Sequence, residues 1–562
     1  MKNRIILIVM FVFLLHPVWA ENITRERVYL HTDKNTYLSG ELLWMKFYLT
    51  DEAGKPSSLS KIGYVELVDE SNAQKQVKLD IINGVAGSWM ELPVSLPSGN
   101  YRLIAYTTNM RNEGESVFFN KTIGIINTFK TDALVGSSTV SADSASVDMG
   151  AFQQSKGNIS VETDKQSYST RAKSEIKIKG LPGNVHSLSI SVAGRDFVQY
   201  NENIIKWNDG LKEYVDIPLR TDFLPEYEGH IINGKIIDVS TGGQLPEQEQ
   251  TYSMLGFVGD QVRAFGGLNN GSDVRFFTKR ITGMRELAIT TTSLSNNKYM
   301  VNIETPFAPH AGKKMPVLEL NPEWEKQLLH RSVGMQVQYA YYLDSMSRVD
   351  TTYSYFQWKP DRSYILDEYT RFTTMEEIVI EFIPSLRFRH FDKKSFLTVL
   401  LNGSNTFSSG NSLVFLDGIP IMDYDIILKY NPLLVYKIDV YKEKFVFGNK
   451  RYEGLVFLTT YNHDYPALVT DGSTHLFDYE GAQLHRYFYS PSYTEKSDAE
   501  SKIPDYRHTL LWMPDVETGG LPALSVPFST SDITGDFQVT VEGLTKDGKA
   551  FRGTSFFKVE NP

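Results

Sequence analysis

The residues that could do acid–base or metal chemistry in this chain are few and far apart. His31 and Asp33 stand two positions apart, so on a strand they share one face and could converge as a general base and its partner. The same two residues also fit a strand end entering a solvated turn, and the sequence favours that reading. His463 and Asp464 follow an apolar run and precede Pro466, which favours a loop. The other histidines are scattered, with none paired at metal-ligand spacing. Glu376-Glu377 look like acids at a helix start, where they suit the dipole, and not like a glycosidase pair. The chain has no cysteine, which removes disulfides, thiolate metal sites and a thiol nucleophile. It has no Gly-x-Ser-x-Gly elbow, no His-Glu-x-x-His and no phosphate-binding glycine loop. The expectation is a protein that is not an enzyme and uses no cofactor or metal.

Aromatic side chains are the richer signal. Tyr339 to Tyr342, Tyr353 to Trp358 and Tyr487 to Tyr489 could form stacking platforms for sugars or partner proteins, although alternating aromatics also fill cores. Free strand edges, which open sheets leave somewhere, are the other candidate contact surface.

The elements that would position these groups are mostly strands. Val28-Tyr29-Leu30-His31-Thr32-Asp33-Lys34-Asn35-Thr36-Tyr37 returns 131 residues later as Ile159-Ser160-Val161-Glu162-Thr163-Asp164-Lys165-Gln166-Ser167-Tyr168. Each copy reads as a strand, a turn opening on Asp and a second strand, which implies two related β-domains. Residues 131–155, rich in Ser, Ala and Asp, read as a linker. Gly234 to Asp238 opens another run of short strands. Asn321 to Leu343 is the main helical stretch, and Thr374 to Ile383 is a second, with Thr373 and Glu376 as a capping box. Asp417-Gly418 makes a tight turn between two apolar strands, and Asp425 caps a short helix before Asn431-Pro432. The terminal strands from Ser525 onward look too few for a domain and are expected to complete an earlier sandwich, that of residues 229–305 being the candidate.

Three resemblances follow from these residues. The first copy, with Gly40-Glu41-Leu42-Leu43-Trp44-Met45-Lys46-Phe47-Tyr48-Leu49, resembles a macroglobulin-type domain of bacterial alpha-2-macroglobulin-like proteins. The thioester of such protease traps needs a cysteine that is missing here. Residues 229–305 resemble a carboxypeptidase-regulatory-like sandwich, which is not itself a peptidase. Leu413 to Pro420, Leu433 to Val440, Phe447-Gly448 and Gly454 to Thr460 resemble the plug domain of TonB-dependent outer-membrane transporters. In those a barrel of about 22 strands follows the plug, and only about 100 residues follow Tyr461 here. On that resemblance Gly418 and Gly448 hold turns, Tyr441 and Phe447 are contact or packing residues, and Asp417 and Gly454 are further structural or contact candidates.

The resulting expectation is a mainly β protein: tandem immunoglobulin-like, macroglobulin-type sandwiches plus a small α+β plug-like domain. The expected bounds are a signal peptide at 1–20, a first sandwich at 21–130, the linker at 131–155 and a second sandwich at 156–225. A third sandwich at 226–310, a partly helical connector at 311–372, the plug-like domain at 373–465 and a C-terminal β segment at 466–562 complete the chain. Lys2 and Arg4, apolar Ile5 to Leu15 and Val18-Trp19-Ala20 have the form of a secretory signal. That implies the periplasm or the outer membrane, without the lipidated cysteine of a lipoprotein and without a helical membrane span in the mature chain. A net charge of -10, with basic residues scattered, gives no footprint for nucleic acid. The expected role is a non-enzymatic scaffold for outer-membrane transport or assembly proteins, the alternative being a glycan-binding accessory of polysaccharide uptake.

Overall fold

The computed structural model describes residues 24–70, 72–130, 159–195, 220–259, 263–295, 297–349, 359–392, 394–463, 473–493 and 501–561. The signal-like residues, the linker and the Tyr353–Trp358 aromatics lie outside them.

Eight strands build the first sandwich: β1 (Glu26–Thr32), β2 (Thr36–Leu38), β3 (Leu42–Asp51), β4 (Ile62–Val68), β5 (Ala73–Asp80), β6 (Val85–Glu91), β7 (Gly99–Tyr106) and β8 (Phe119–Ile126). One sheet runs β1-β3-β6 and the other β2-β8-β7-β4-β5, with β2 parallel to β8. Leu43, Met45, Phe47 and Leu49 alternate into the core between the sheets, where they meet Val65, Leu67, Leu103 and Ile123. The intervening residues of β3 are buried as well, because a second sandwich covers that sheet from outside.

That second sandwich repeats the first strand for strand, but its chain is interrupted. Its first half is β9 (Ser160–Thr163), β10 (Ser167–Ser169), β11 (Lys173–Lys179) and β12 (Val185–Gly194). Its second half comes from the C-terminus: β28 (Thr509–Met513), β29 (Ala523–Ser529), β30 (Gly535–Thr545) and β31 (Ala550–Glu560). The sheets run β29-β11-β9 and β10-β31-β30-β12-β28, again with one parallel pair, β10 to β31. The terminal strands therefore complete the sandwich begun at Ile159, not that of residues 229–305. Their inward residues Val526, Phe528, Val539 and Val541 join Ile176, Ile178 and Ile190 in one core.

The third sandwich occupies the interruption. It contains β13 (Ile231–Asp238), β14 (Thr251–Phe257), β15 (Ala264–Gly266), β16 (Leu268–Asn270), β17 (Asp273–Phe277), β18 (Met284–Ser293) and β19 (Tyr299–Ile303), and it too is closed late, by β27 (Thr474–Glu480). Its sheets are β16-β17-β13-β19 and β15-β14-β18-β27.

Between β19 and β27 lie the helical stretch and an αβ module. Helix α1 (Glu325–Met346) follows a 3-10 turn in which the Asn321 side chain accepts from Glu323 N–H. The helix packs on the first sandwich through Leu328, beside Leu38 and Ile126, and through Arg331. The module's sheet is ordered β20-β25-β26-β23-β24, from β20 (Arg362–Ile365), β23 (Leu413–Leu416), β24 (Ile419–Ile421), β25 (Val435–Phe447) and β26 (Lys450–Thr460). Helices α2 (Met375–Phe382) and α3 (Tyr424–Lys429) and the hairpin of β21 (Leu386–Phe391) and β22 (Lys394–Val399) complete it. The module thus begins before residue 373, because β20 pairs with β25. Both caps sit one or two residues from their expected places. Thr374, not Thr373, caps α2 and bonds the Glu377 carboxylate at 2.7 Å, and Asp423, not Asp425, caps α3. Among the described residues no helix is long and apolar enough to cross a membrane.

Candidate functional site

The echoed motif is a local hydrogen-bond device. In the first copy Asp33 Oδ1 accepts from Tyr37 O–H at 2.8 Å and from Trp44 N–H at 3.1 Å, and Thr32 O–H donates to Lys34 C=O at 2.9 Å. In the second copy Asp164 Oδ1 accepts from Tyr168 O–H at 2.6 Å and from Glu175 N–H at 2.8 Å, and Thr163 O–H donates to Lys165 C=O at 2.7 Å. The motif Thr-Asp-Lys-x-x-Tyr therefore satisfies the donors of a sharp strand-to-strand crossing. The copies differ in surroundings. Asp33 Oδ2 also accepts from Thr509 O–H at 2.7 Å and from Lys34 Nζ at 3.1 Å, across the joint with the second sandwich. The turn expected to be solvated is buried.

His31 lies in that same joint. Its Nδ1 is 2.7 Å from Ser189 Oγ and 3.8 Å from Glu542, while Tyr48 O–H meets Ser189 at 2.7 Å and Tyr29 O–H donates to Glu542 at 3.0 Å. A serine, a histidine and a carboxylate suggest a hydrolase, but the geometry is wrong for one. A catalytic triad puts serine and acid on opposite ring nitrogens, with the serine open to substrate. Here both approach Nδ1, and all three side chains are buried between two sheets. His31 and Asp33 do not meet each other; they bind separate parts of the second sandwich.

The candidate residues of the αβ module face its neighbour. Asp417 is buried, with φ +46, and its carboxylate accepts from Thr460 N–H at 2.8 Å and Thr460 O–H at 2.6 Å, tying the β23–β24 turn to the end of β26. Gly418 (φ +85) and Gly448 (φ +55) do hold turns. Those turns press on the third sandwich: a Cβ on Gly256 would lie 2.0 Å from Gly418 C=O, and one on Gly266 would lie 2.2 Å from Gly448 N. Gly454 (φ +92) sits against Val399. Tyr441 and Phe447 pack with Phe457, Tyr452 and Met254 in the cluster between module and sandwich, so they are packing residues with no free surface to offer a partner.

Two of the three aromatic segments converge. A cavity of about 100 Å³ opens where the first sandwich, α1 and the start of the second sandwich's C-terminal half meet. Trp44 stands edge-on to Phe488 at 5.4 Å, Tyr342 lies 5.1 Å from Tyr489, and Tyr339 O–H donates to Gly40 C=O at 2.9 Å. At the cavity floor Arg331 grips Glu41 through two 2.7 Å bonds, and Lys34 lies 3.5 Å from the same carboxylate. Arg331 and Lys34 hold Glu41 down to about 2 against its burial, while burial first, and the same cations second, push His508 well below its ordinary value. The charged groups of the lining are paired among themselves or with neighbours just behind it, Arg331 and Lys34 with Glu41 and Arg507 with Asp505. Among the described residues no cluster of three or more potential metal ligands occurs.

A second buried polar group joins the first and third sandwiches. Glu226 accepts from Tyr64 O–H at 3.1 Å, Thr108 O–H at 2.9 Å and Ile231 N–H at 3.0 Å, with His230 at 3.6 Å and Lys78 nearby. Burial pushes the Glu226 carboxyl up to about 7 and His230 well down. Sequence reasoning missed this pair, because Glu226 lies in an ordinary polar stretch. Its only signal is the short spacing of Glu226 and His230 before β13.

No protein-family model matches the chain, and no curated protein matches it. Among solved structures it is similar to Escherichia coli alpha-2-macroglobulin activated by porcine elastase, at 8% identity and a TM-score of 0.24, covering 96% of this chain and 44% of that one. It is also similar to Salmonella alpha-2-macroglobulin reacted with methylamine, at 9% identity and a TM-score of 0.24, covering 96% and 40%. The Escherichia coli adhesin FdeC matches at 8% identity and a TM-score of 0.15, covering 49% and 62%. The chain spans less than half the length of either macroglobulin. The fold class rests on the chain's own strand pairing: a mainly β protein of three sandwiches, two of them matching strand for strand, around one small αβ module.

Proposed function

We propose that this chain is a non-enzymatic interaction scaffold of the bacterial cell envelope, periplasmic or attached to the outer membrane, working with outer-membrane transport or assembly proteins. Its αβ module, with the plug-like motifs, is the docking element. The observation that carries this reading is an exposed apolar group on the module, away from the face covered by the third sandwich. Leu433, Leu434, Tyr436 and Tyr461 are 46, 50, 38 and 45% exposed. They are contiguous: the rings of Tyr436 and Tyr461 are 5.6 Å apart, and Tyr461 N–H donates to Leu434 C=O at 3.2 Å. Arg371 beside them is fixed by Pro432 C=O at 2.8 Å. The tyrosines and the pre-ordered arginine are of the types enriched in binding hot spots, and the two leucines add apolar area around them. On this reading these residues, and not the buried Tyr441 and Phe447, are the docking surface.

A photo-crosslinking amino acid at Tyr461 in cells should trap an outer-membrane transport or assembly protein, and Leu434→Glu should abolish the adduct. Adducts with no envelope protein at all would refute the scaffold.

The second reading is a glycan-binding accessory protein of polysaccharide uptake. It is favoured by Tyr487, whose ring is braced by the Arg348 guanidinium 5.1 Å over it and still stands 43% exposed. Binding to a polysaccharide affinity gel that is lost in Tyr487→Ala would support it, and silence across many polysaccharides would retire it.

A further inference from the structure

We propose that the cleft between the third sandwich and the αβ module is a saccharide-binding site. The inference rests on the glycan-binding reading, but it places the sugar away from Tyr487. The cleft has a volume of about 380 Å³, within the roughly 300–1,000 Å³ of small-molecule sites, and it lies at a domain junction, where such sites are common. One wall is the end of β18 with the following turn, contributing Asn297 and Lys298. The other is the start of β22, contributing Lys394 and Phe396. Asp423 and Asp425, at the start of α3, close it.

The floor is pre-formed. Thr290 O–H donates to Pro420 C=O at 2.9 Å and stands 2.9 Å from the Thr474 hydroxyl, while the glycine contact of Gly256 with Gly418 fixes sandwich and module together. A ligand would enter a shape already present, which lowers the ordering cost of binding.

The polar groups select the ligand class. Two ammonium groups and two carboxylates line the cleft, so it carries no net charge to favour an anion or a cation. One Asp423 oxygen accepts from Asp425 N–H at 3.0 Å. Among the described residues, the Asp425 carboxylate and the Asn297 side-chain amide have no protein partner. Carboxylates only accept hydrogen bonds, ammonium groups only donate, and an amide does both. A polyol, whose every hydroxyl both donates and accepts, can use all three at once. Phe396, half-buried and 6.2 Å from the Tyr424 ring, supplies an apolar surface for the C–H face of a sugar ring.

The test is calorimetric titration of the full chain with maltotriose, cellotriose, xylotriose, mannotriose and chitotriose, repeated on Asp425→Asn, Phe396→Ala and Tyr487→Ala. Thermal unfolding of each variant would verify its fold, and Asp425→Asn alters only a surface group. One saccharide should bind saturably, at least tenfold more weakly to both cleft variants and unchanged to Tyr487→Ala. Binding that is kept in both cleft variants overturns this site, and its loss in Tyr487→Ala would leave the glycan-binding reading standing without it. No binding by any of the five overturns both.

Discussion

Asp33 and Asp164 perform the same local task in different surroundings, and that difference sets what each is worth. Replacing Asp33 with Ala takes the acceptor from Thr509 O–H and Trp44 N–H inside a joint and leaves Lys34 with the more distant Glu41 carboxylate, at 3.5 Å. Removing one partner from a buried charge pair costs about 3–5 kcal/mol when the other charge is left uncompensated, and with Glu41 still beside Lys34 the loss should fall at about the lower end of that range. Asp164→Ala frees only two donors beside water and should cost about 1–2 kcal/mol. Urea denaturation of the two variants should show this gap, and equal losses would mean that Asp33 does not hold the sandwiches together. The local half of this was partly readable from sequence, since the echo contains the Thr, Asp, Lys and Tyr of the device, while its last donor, the N–H of Trp44 or Glu175, lies eleven residues past the Asp. The joint was not, because Thr509 lies at the other end of the chain.

Glu226 and His230 give the same scale a pH signature. The Glu226 carboxyl titrates near 7 when folded and near 4.5 when unfolded, so the unfolded chain holds fewer protons in between and stability falls as pH rises from about 4.5 to 7. His230, neutral when folded, acts oppositely: stability is lost as pH falls below about 6.5. Lys78, lowered to about 8 by burial, faces both, as do the Tyr64 and Tyr479 hydroxyls, which burial pushes up, and none of these changes charge in that window. The wild type should therefore have a shallow profile between pH 5 and 6.5. Glu226→Gln removes a slope of up to about 3 kcal/mol and should leave a protein that weakens steadily on acidification below pH 6.5. Thermal unfolding across pH checks this, and parallel profiles would exclude a titrating Glu226.

Among elements, the strands were legible and their partners were not. Period-two patterns such as Lys173 to Lys179, with Ser174, Ile176 and Ile178 inward, announce a half-buried strand without saying which strand lies beside it. The two short helices were legible for a related reason: spacing shows a buried face, while neighbouring threonines or aspartates compete for the cap. The glycines at 256, 266, 418 and 448 were half legible. The turns at Gly418 and Gly448 follow from residue type, but the use of all four as flat contact points between module and sandwich does not, and Gly256 and Gly266 lie inside β14 and β15. Gly256→Ala should cost about 1–3 kcal/mol through overpacking. It should also loosen the seam before the rest of the fold. Hydrogen exchange at Gly259 N–H, which donates to Asp417 C=O at 2.8 Å, would accelerate, whereas exchange in the first sandwich would not.

At the scale of the whole molecule, the chain is a set of nested insertions: the αβ module inside the third sandwich, and both inside the second. Deleting residues 533–562 removes β30 and β31 and leaves β12 without a main partner. The amides of β9 to β12 should lose protection and become sites of proteolysis. The first sandwich, complete within Glu26–Ile126, should survive. Coincident loss of both would mean that the sandwiches fold as one unit. The nesting also has a consequence in time. Between Gly194 and Thr509 the ribosome adds 315 residues (509 − 194), which at about 5–20 residues per second takes roughly 15–60 s. Throughout that delay Leu188, Ile190 and Val192 sit in a half-made β-sheet, so the nascent protein must be shielded from its neighbours until its last strands arrive.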